Sequence, residues 1–490
     1  MHGLLTLTRA TLVLAWVALT AHAQFSAAGL VPVTAAPYRP DRILVQPKSA
    51  AALAPLAELH ARLHSQVLRT FPGIHQLQVL SVPAGESVPD LIARYQQSGW
   101  VAFAEPDYLG QLYDTTPNDP YFTSGKLWGL AAISAPAAWD VITAATNVVV
   151  AVVDTGVRYT HEDLAANLWV NPVDGGHGWN ALDDNDDPTN NGATHGTMVA
   201  GILGAMGNNG KGVVGVAWSV QLMACDCFNS ADIGSVSDVI TCLEYARTNG
   251  ARVINASWGF TNSPTFSPLA LSNAIVALRD AGIIVVAAAG NRATNIDLAP
   301  NYPAGYGLDN VITVGSISPS NTWSTFSNYG VTNVALAAPG ERIYTTFPAT
   351  DSYYYVDPNG ATSYAAPFVA GACALLIAQY PADTYHDTIA RLLGTTDPLP
   401  GLAGKCRTGG RLNLANALRT IRLTSLSANG GVLQLAVAGG LNRVCAVEIS
   451  TNLAAWSPVY TNTATTNGTF IFTDTVASSS PRFYRATASP

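Results

Sequence analysis

From about residue 127 to about residue 420, short apolar runs alternate with longer helical patterns. No other feature of the chain constrains its fold as strongly. Residues 148–153 are six consecutive apolar positions, five of them valine, as expected for a strand buried on both faces of a parallel sheet. Residues 253–256, 283–289 and 311–314 are similar, and helical patterns occupy 236–248, 268–281 and 363–379. Alternation over this length predicts a doubly wound, mainly parallel α/β domain. In such domains chemistry gathers beyond the carboxyl ends of the strands.

Composition narrows the function classes. Only 11% of the 490 residues are charged, against roughly 25% in an average globular chain. A disordered or coiled-coil protein needs more. The net charge of −8, with no clustered Lys/Arg run, argues against a nucleic-acid binder. Arg9 precedes an apolar stretch over 10–19, broken only by Thr11, that ends at Ala21-His22-Ala23 before Gln24. That pattern predicts a secretory signal peptide over 1–23, hence a secreted protein. The stretch is well short of the ~20 residues a membrane span needs, and no later apolar run is long enough. Six cysteines without a CxxC pair weaken zinc and thioredoxin-like readings, and buried free thiols are expected rather than disulfides.

The flanks read differently. Residues 41–110 alternate strand (42–45, 76–82, 101–104) and helix (53–68, 88–98), a small α+β domain followed by an exposed linker around Thr115-Thr116-Pro117. From 424 to 490, short strand-like runs are divided by Asn429-Gly430, Gly439-Gly440 and Asn467-Gly468, which predict hairpins in a small, sandwich-like all-β domain. Its aromatics (Trp456, Tyr460, Phe472, Phe483, Tyr484) are expected chiefly in its core.

Three polar residues stand out in the central region. Asp154 closes the 148–153 strand and precedes Thr155-Gly156; a carboxylate there must be paired, because burying an isolated charge costs several kcal/mol. His195 opens an apolar helix in Thr194-His195-Gly196-Thr197. Ser363 lies in Gly360-Ala361-Thr362-Ser363-Tyr364-Ala365-Ala366-Pro367, a setting equally suited to a helix N-cap. Each alone is ambiguous.

Together, in the order Asp-Thr-Gly, His-Gly-Thr and Thr-Ser-x-Ala-x-Pro, they resemble the signature segments of the subtilisin-like serine peptidases, over about residues 118–420. The resemblance implies Ser363 as nucleophile, His195 as general base and Asp154 as the group that orients it. Ala287-Ala288-Ala289-Gly290-Asn291 resembles the segment supplying an oxyanion donor, which makes Asn291 that residue. Ser257-Trp258-Gly259 resembles the strand that pairs with extended substrate, with Ala288, Ala289 and Gly290 on the opposite wall of an open, apolar specificity pocket suited to large hydrophobic residues. No cofactor is expected for the chemistry. The resemblance also implies a structural calcium ion on Asp119, Asp163 and Asn209, which stand in segments similar to those that bind calcium in the family and offer the hard oxygen ligands it takes. The acidic run 183–187 fits a second, weaker ion or a solvated loop equally.

Residues 41–110 resemble the family's inhibitory propeptides, whose last strand lies product-like in the cleft, with cleavage expected between Gly110 and Asn118. The family glycine two before the nucleophile is Ala361 here, Met198 and Phe368 replace further histidines, and Tyr364 replaces the usual methionine. The expected protein is a monomeric, self-processing endopeptidase with a catalytic domain over 112–420, acting on protein or peptide substrates. The rival readings are a catalytically silent scaffold and a surface-binding protein led by its C-terminal domain.

Overall fold

The computed structural model describes residues 38–108, 115–189, 192–260, 267–356, 360–429, 432–439, 444–453, 455–463, 468–475 and 482–488. The expected signal peptide and much of the stretch expected to hold the cleavage bond lie outside these residues. The chain divides into two compact units, with the boundary between Tyr113 and Asp114.

The first unit runs β1 (Tyr38–Pro47), α1 (Leu53–Arg62), β2 (Val67–Phe71), β3 (Leu77–Ser81), α2 (Val88–Gln97) and β4 (Val101–Tyr108). Its sheet is antiparallel, in the order β2-β3-β1-β4. Alternation along β1 buries Ile43 and Val45 against Leu56, Leu59, Leu91 and Tyr95. Helix α1 stops at Arg62, short of the expected residue 68: His64 adopts a left-handed φ of 56° and turns the chain into β2. Val67 and Leu68, read as the helix's apolar face, are exposed strand residues instead. His60 is buried between the Tyr95 hydroxyl (2.8 Å from Nδ1) and Gln78 Oε1 (2.9 Å from Nε2).

In the second unit, short helices α3 (Pro120–Thr123), α4 (Trp128–Ala132) and α5 (Ala135–Trp139) lead into β5 (Ala144–Asp154). There follow β6 (Gly178–Asn180), α6 (His195–Gly204), β7 (Ser219–Asp226), α7 (Val236–Thr248), β8 (Ala251–Ala256), α8 (Leu269–Asp280), β9 (Ile284–Ala288), β10 (Val311–Ile317) and β11 (Leu336–Pro339). A separate hairpin, β12 (Ile343–Phe347) and β13 (Ser352–Val356), precedes α9 (Thr362–Gln379), α10 (Tyr385–Leu393), the two-residue strands β14 (Asp397–Pro398) and β15 (Gly410–Arg411), and α11 (Leu414–Arg419). The main sheet has nine strands in the order β14-β15-β11-β10-β9-β8-β5-β7-β6, all parallel except β14.

Valine runs are tolerated along β5 because both faces are covered. Val150 and Val152 pack with α6 and α9, while Ala151 and Val153 face α7 and α8. Among the described residues one helix, α9, is long and apolar enough to cross a membrane, and 94% of that apolar window is buried inside the protein. All six cysteines are buried thiols, none of them in a disulfide.

The C-terminal strands are β16 (Arg422–Asn429), β17 (Val432–Ala438), β18 (Val444–Ser450), β19 (Ser457–Thr463), β20 (Thr469–Thr475) and β21 (Phe483–Ala488). They form two antiparallel three-stranded sheets, β16-β17-β20 and β19-β18-β21, over a shared core of Leu435, Val437, Cys445, Val447 and Phe472. Of the three expected hairpins only β16–β17 is one. The chain around Gly439 and Gly468 instead crosses between sheets, a placement set by sheet packing rather than local turn chemistry. Phe472 is buried and Tyr484 packs against the same core, as expected of the aromatics, whereas Tyr460 and Phe483 are exposed.

Candidate active site

Asp154 ends β5 at the carboxyl edge of the sheet and is only 2% exposed. Its Oδ1 accepts from the Thr155 N–H at 2.8 Å, and His195 Nδ1 lies 2.8 Å from Oδ1 and 3.0 Å from Oδ2. A carboxylate only accepts, so Nδ1 carries the proton and Nε2 is left as the basic nitrogen. Burial by itself lowers the imidazole pKa, but the charge of Asp154 and its hydrogen bond outweigh that, with a smaller push from Asp232, and the net shift is upward. His195 is the first residue of α6 because Gly196 permits a close approach: a Cβ there would stand 2.2 Å from the Gly156 carbonyl oxygen. The Gly196 N–H donates to Thr155 Oγ1 at 3.0 Å, joining the two motifs.

Ser363 is the second residue of α9, not its cap. The cap position is Ala361, whose extended backbone (φ −144°) accepts a Cβ without strain, so the departure from glycine costs nothing there. Pro367 follows four residues after Ser363 and has no N–H to give its carbonyl. That carbonyl accepts from Ser257 Oγ at 2.8 Å, and Ser363 Oγ donates to the Ser257 carbonyl at 2.9 Å. The serine hydroxyl therefore points at Ser257 and not at His195, although Asp154, His195 and Ser363 line one cavity of about 250 Å³. Asn291 Oδ1 accepts from the Thr362 N–H (2.8 Å) and Oγ1 (2.9 Å), an external cap for α9 that leaves the amide Nδ2 free to donate.

A second cavity, about 240 Å³, adjoins the first through Ser257, Trp258, Gly259 and Ser363, and Asn291 lines it. Ala288 and Gly290 form part of its wall. Ala289 does not: alternation along the strand end turns it into a core with Ile296, Ala304 and Val334. The expected apolar character also needs correction. Arg292, Asn301, Asn328 and Thr362, none of them anticipated, complete the lining. Asn301 and Asn328 come from distant segments, whereas Arg292 directly follows Asn291 and Thr362 directly precedes Ser363, a placement that signalled both in the sequence. Asn328 organises the wall, donating to the Ala289 carbonyl at 2.8 Å and accepting from the Arg292 and Thr294 N–H groups.

Asp226 was also missed, although it carries the same signal as Asp154: a carboxylate at the end of a buried strand. It stands in register with Asp154 on the neighbouring strand and with Asn180 on the other side. It is 1% exposed, its Oδ1 has no hydrogen-bond partner, and its pKa is pushed up to about 7, first by burial and then by the charges of Asp154 and Asp183.

The calcium candidates come together elsewhere. Asp119 and Asp163 are fully buried beside the 206–213 loop. Asp163 accepts from Asn209 Nδ2 at 2.7 Å and the Val213 N–H at 3.0 Å. Asp119 Oδ2 accepts from the Asn208 N–H at 2.7 Å, while its Oδ1 is buried with no partner. Burial raises the Asp119 pKa against its backbone hydrogen bonds, and Asp163 adds to the rise. The acidic run is different. Asp183 accepts from Asn180 and Asp187 from Thr189, and no group of three metal-ligating side chains (His, Cys, Asp or Glu) occurs among the described residues.

The family model described as "Subtilase family" matches residues 145–429, and the "Fervidolysin N-terminal prodomain" model matches residues 26–107. Thermitase of Thermoactinomyces vulgaris is 38% identical over 304 residues, covering 62% of this chain and 99% of thermitase. Subtilisin Savinase of Lederbergia lenta is 38% identical over 255 residues, covering 52% of this chain and 85% of its own length. A solved protease structure from Pseudoalteromonas arctica superposes with a TM-score of 0.54 at 30% identity, covering 62% of this chain and 99% of that one. With a prodomain ahead of a doubly wound catalytic sheet, the chain belongs to the subtilase family of serine peptidases.

Proposed function

We propose that this protein is a secreted serine endopeptidase, made as a self-processing precursor, in which Ser363 is the nucleophile, His195 the general base and Asp154 its orienting partner. The observation that carries this reading is the His195–Asp154 hydrogen bond in a cavity shared with Ser363. A serine hydroxyl is a weak nucleophile until a base removes its proton. Rotation of the Ser363 side chain away from Ser257 brings Oγ to His195 Nε2, which takes the proton as Oγ bonds to the scissile carbonyl carbon. Asn291 Nδ2 and the Ser363 N–H donate to the oxyanion. Collapse breaks the C–N bond, the imidazolium gives its proton to the leaving amine, and water repeats the sequence on the acyl-enzyme. Ser257–Gly259 lies along the acyl half of the substrate.

Residues 1–23 direct export, 41–110 act as inhibitor and folding aid, 112–420 are the catalytic domain and 424–490 an accessory β domain. A slow-folding parallel sheet benefits from such an aid. Calcium would be held by Asp119 and Asp163, because the Asp119 Oδ1 is buried without a partner beside a second buried carboxylate, and by Asn209 once its amide turns its oxygen, which accepts from the Lys211 N–H, toward the ion. When bound, it would supply charge neutralisation and tie the 206–213 loop to the N-terminal segment. Chelation should lower the melting temperature of the mature protein, and an unchanged Tm overturns that assignment. The main test expresses wild type and Ser363→Ala and follows prodomain release and casein hydrolysis. Self-processing by Ser363→Ala would refute the nucleophile assignment.

A further inference from the structure

Two cavities flank Ser363, and each carries one unspent charge. Arg292 lines the cavity that holds Asn291, and Asp232 lines the one that holds His195. Both side chains are exposed, and neither makes an ion pair or a side-chain hydrogen bond among the described residues. Asp232 is near enough to His195 for its charge to be felt there.

The floor of the Arg292 cavity is polar as well. Asn301 is only 7% exposed, and its amide makes no side-chain hydrogen bond among the described residues but lines the cavity. It is wedged between two glycines: a Cβ on Gly259 would come 2.3 Å from Asn301 Nδ2, and one on Gly290 would come 3.1 Å from it. A substrate side chain that displaces water from this amide must replace the hydrogen bonds that water makes, or lose free energy. A large hydrophobic side chain would leave it unsatisfied; a carboxylate or an amide would not.

Successive side chains of an extended peptide point to opposite sides. Along Ser257–Gly259, the residue whose carbonyl meets Ser363 and Asn291 places its side chain in the Arg292 cavity. The residue before it faces the other cavity, which is bordered by the same Ser257–Gly259 segment and so belongs to the acyl half. Resting on the reading of Ser363 as nucleophile, we propose that the peptidase selects substrates with an acidic or amide side chain at the scissile residue and a basic one immediately before it. Arg292 and Asn301 select the first, and Asp232 selects the second.

The test compares kcat/KM of the mature enzyme on succinyl-Ala-Ala-Lys-Glu-p-nitroanilide with peptides carrying Gln, Lys or Phe in the last position, or Glu in the one before it. For wild type, Glu should exceed Lys at the scissile residue by about tenfold, and Lys should exceed Glu before it by roughly fivefold, the scale of exposed charge pairs. Arg292→Glu should invert the first preference and leave the second. Asp232→Asn should abolish the second and leave the first. Both preferences should shrink in high salt. Each variant is scored by a ratio between substrates, so a change in overall rate or yield does not mask the result. Charge preferences unmoved by either substitution, or wild type favouring Phe over both Glu and Gln more than about tenfold, would overturn the proposal. If the mature enzyme cleaves none of the peptides, it is the nucleophile reading that fails; cleavage without charge preference defeats the selectivity alone.

Discussion

Replacing Asp226 by Asn should stabilise the second unit, and by an amount that grows with pH. Asp226 and Asp154 stand side by side at the ends of β7 and β5, both essentially buried. Asp154 has its charge compensated by His195 and the Thr155 N–H, whereas Asp226 Oδ1 has no partner. Two adjacent buried carboxyls do not ionise together cheaply, so the unsupported one holds a proton. Its pKa rises from 3.8 to about 7, roughly 3 units, or about 4 kcal/mol at 1.36 kcal/mol per unit. The sign follows from linkage. Below the unfolded value of 3.8 both states are protonated and nothing is lost; between there and about 7 the folded state alone keeps the proton, and stability falls as pH rises until the folded carboxyl too ionises. Asn keeps the shape and removes the titration. Urea unfolding of Ser363→Ala protein, with and without Asp226→Asn, at about pH 5 and about pH 8.5 should show the gap between the two widening by about 3 kcal/mol at the higher pH. A gap that stays constant across that range would refute the paired-carboxyl reading.

Other substitutions probe separate parts of the molecule. Arg391 is fully buried, pairs with Asp383, donates to the Thr420 carbonyl and lies 3.6 Å above the Tyr380 ring, so Arg391→Leu strands a buried carboxylate. It should cost about 3–5 kcal/mol in denaturant unfolding, with much of the loss recovered in Arg391→Leu/Asp383→Leu. Asn291→Ala should lower kcat about 10²–10³-fold with little change in KM on a chromogenic peptide, because the amide donates to charge that develops only in the transition state. In the first unit, burial lowers the His60 pKa, only partly offset by Gln78, so the neutral ring is favoured and stability is lost as pH falls below the ordinary imidazole value of 6.5. The hydrogen-exchange protection factors across α1 in the Ser363→Ala precursor, corrected for the intrinsic pH dependence of exchange, should fall between about pH 7.5 and about pH 5, and His60→Leu should flatten that dependence.

The alternation of apolar runs determined, without any tertiary information, that the central region is a parallel sheet covered on both faces. Burial on both sides writes itself into consecutive residues such as 148–153. The motif residues were legible for a related reason. Asp154, His195 and Ser363 each sit where a regular element begins or ends, and their local partners, Thr155, Gly196 and Pro367, lie within four residues. What the sequence left open depends on segments far apart in the chain. The end of α1 was misread because a left-handed residue, His64, leaves no periodic trace. Two expected hairpins became sheet crossings because strand partners are chosen by the shared core and not by the turn between them. The pairing of Asp226 with Asp154 is a matter of strand register across 72 residues of chain, and the polar floor of the cavity beside Asn291 is built where Asn301 meets Gly259 and Gly290. Sequence patterns record what each residue needs from its own element; only the packed structure decides which polar groups from distant segments face one another.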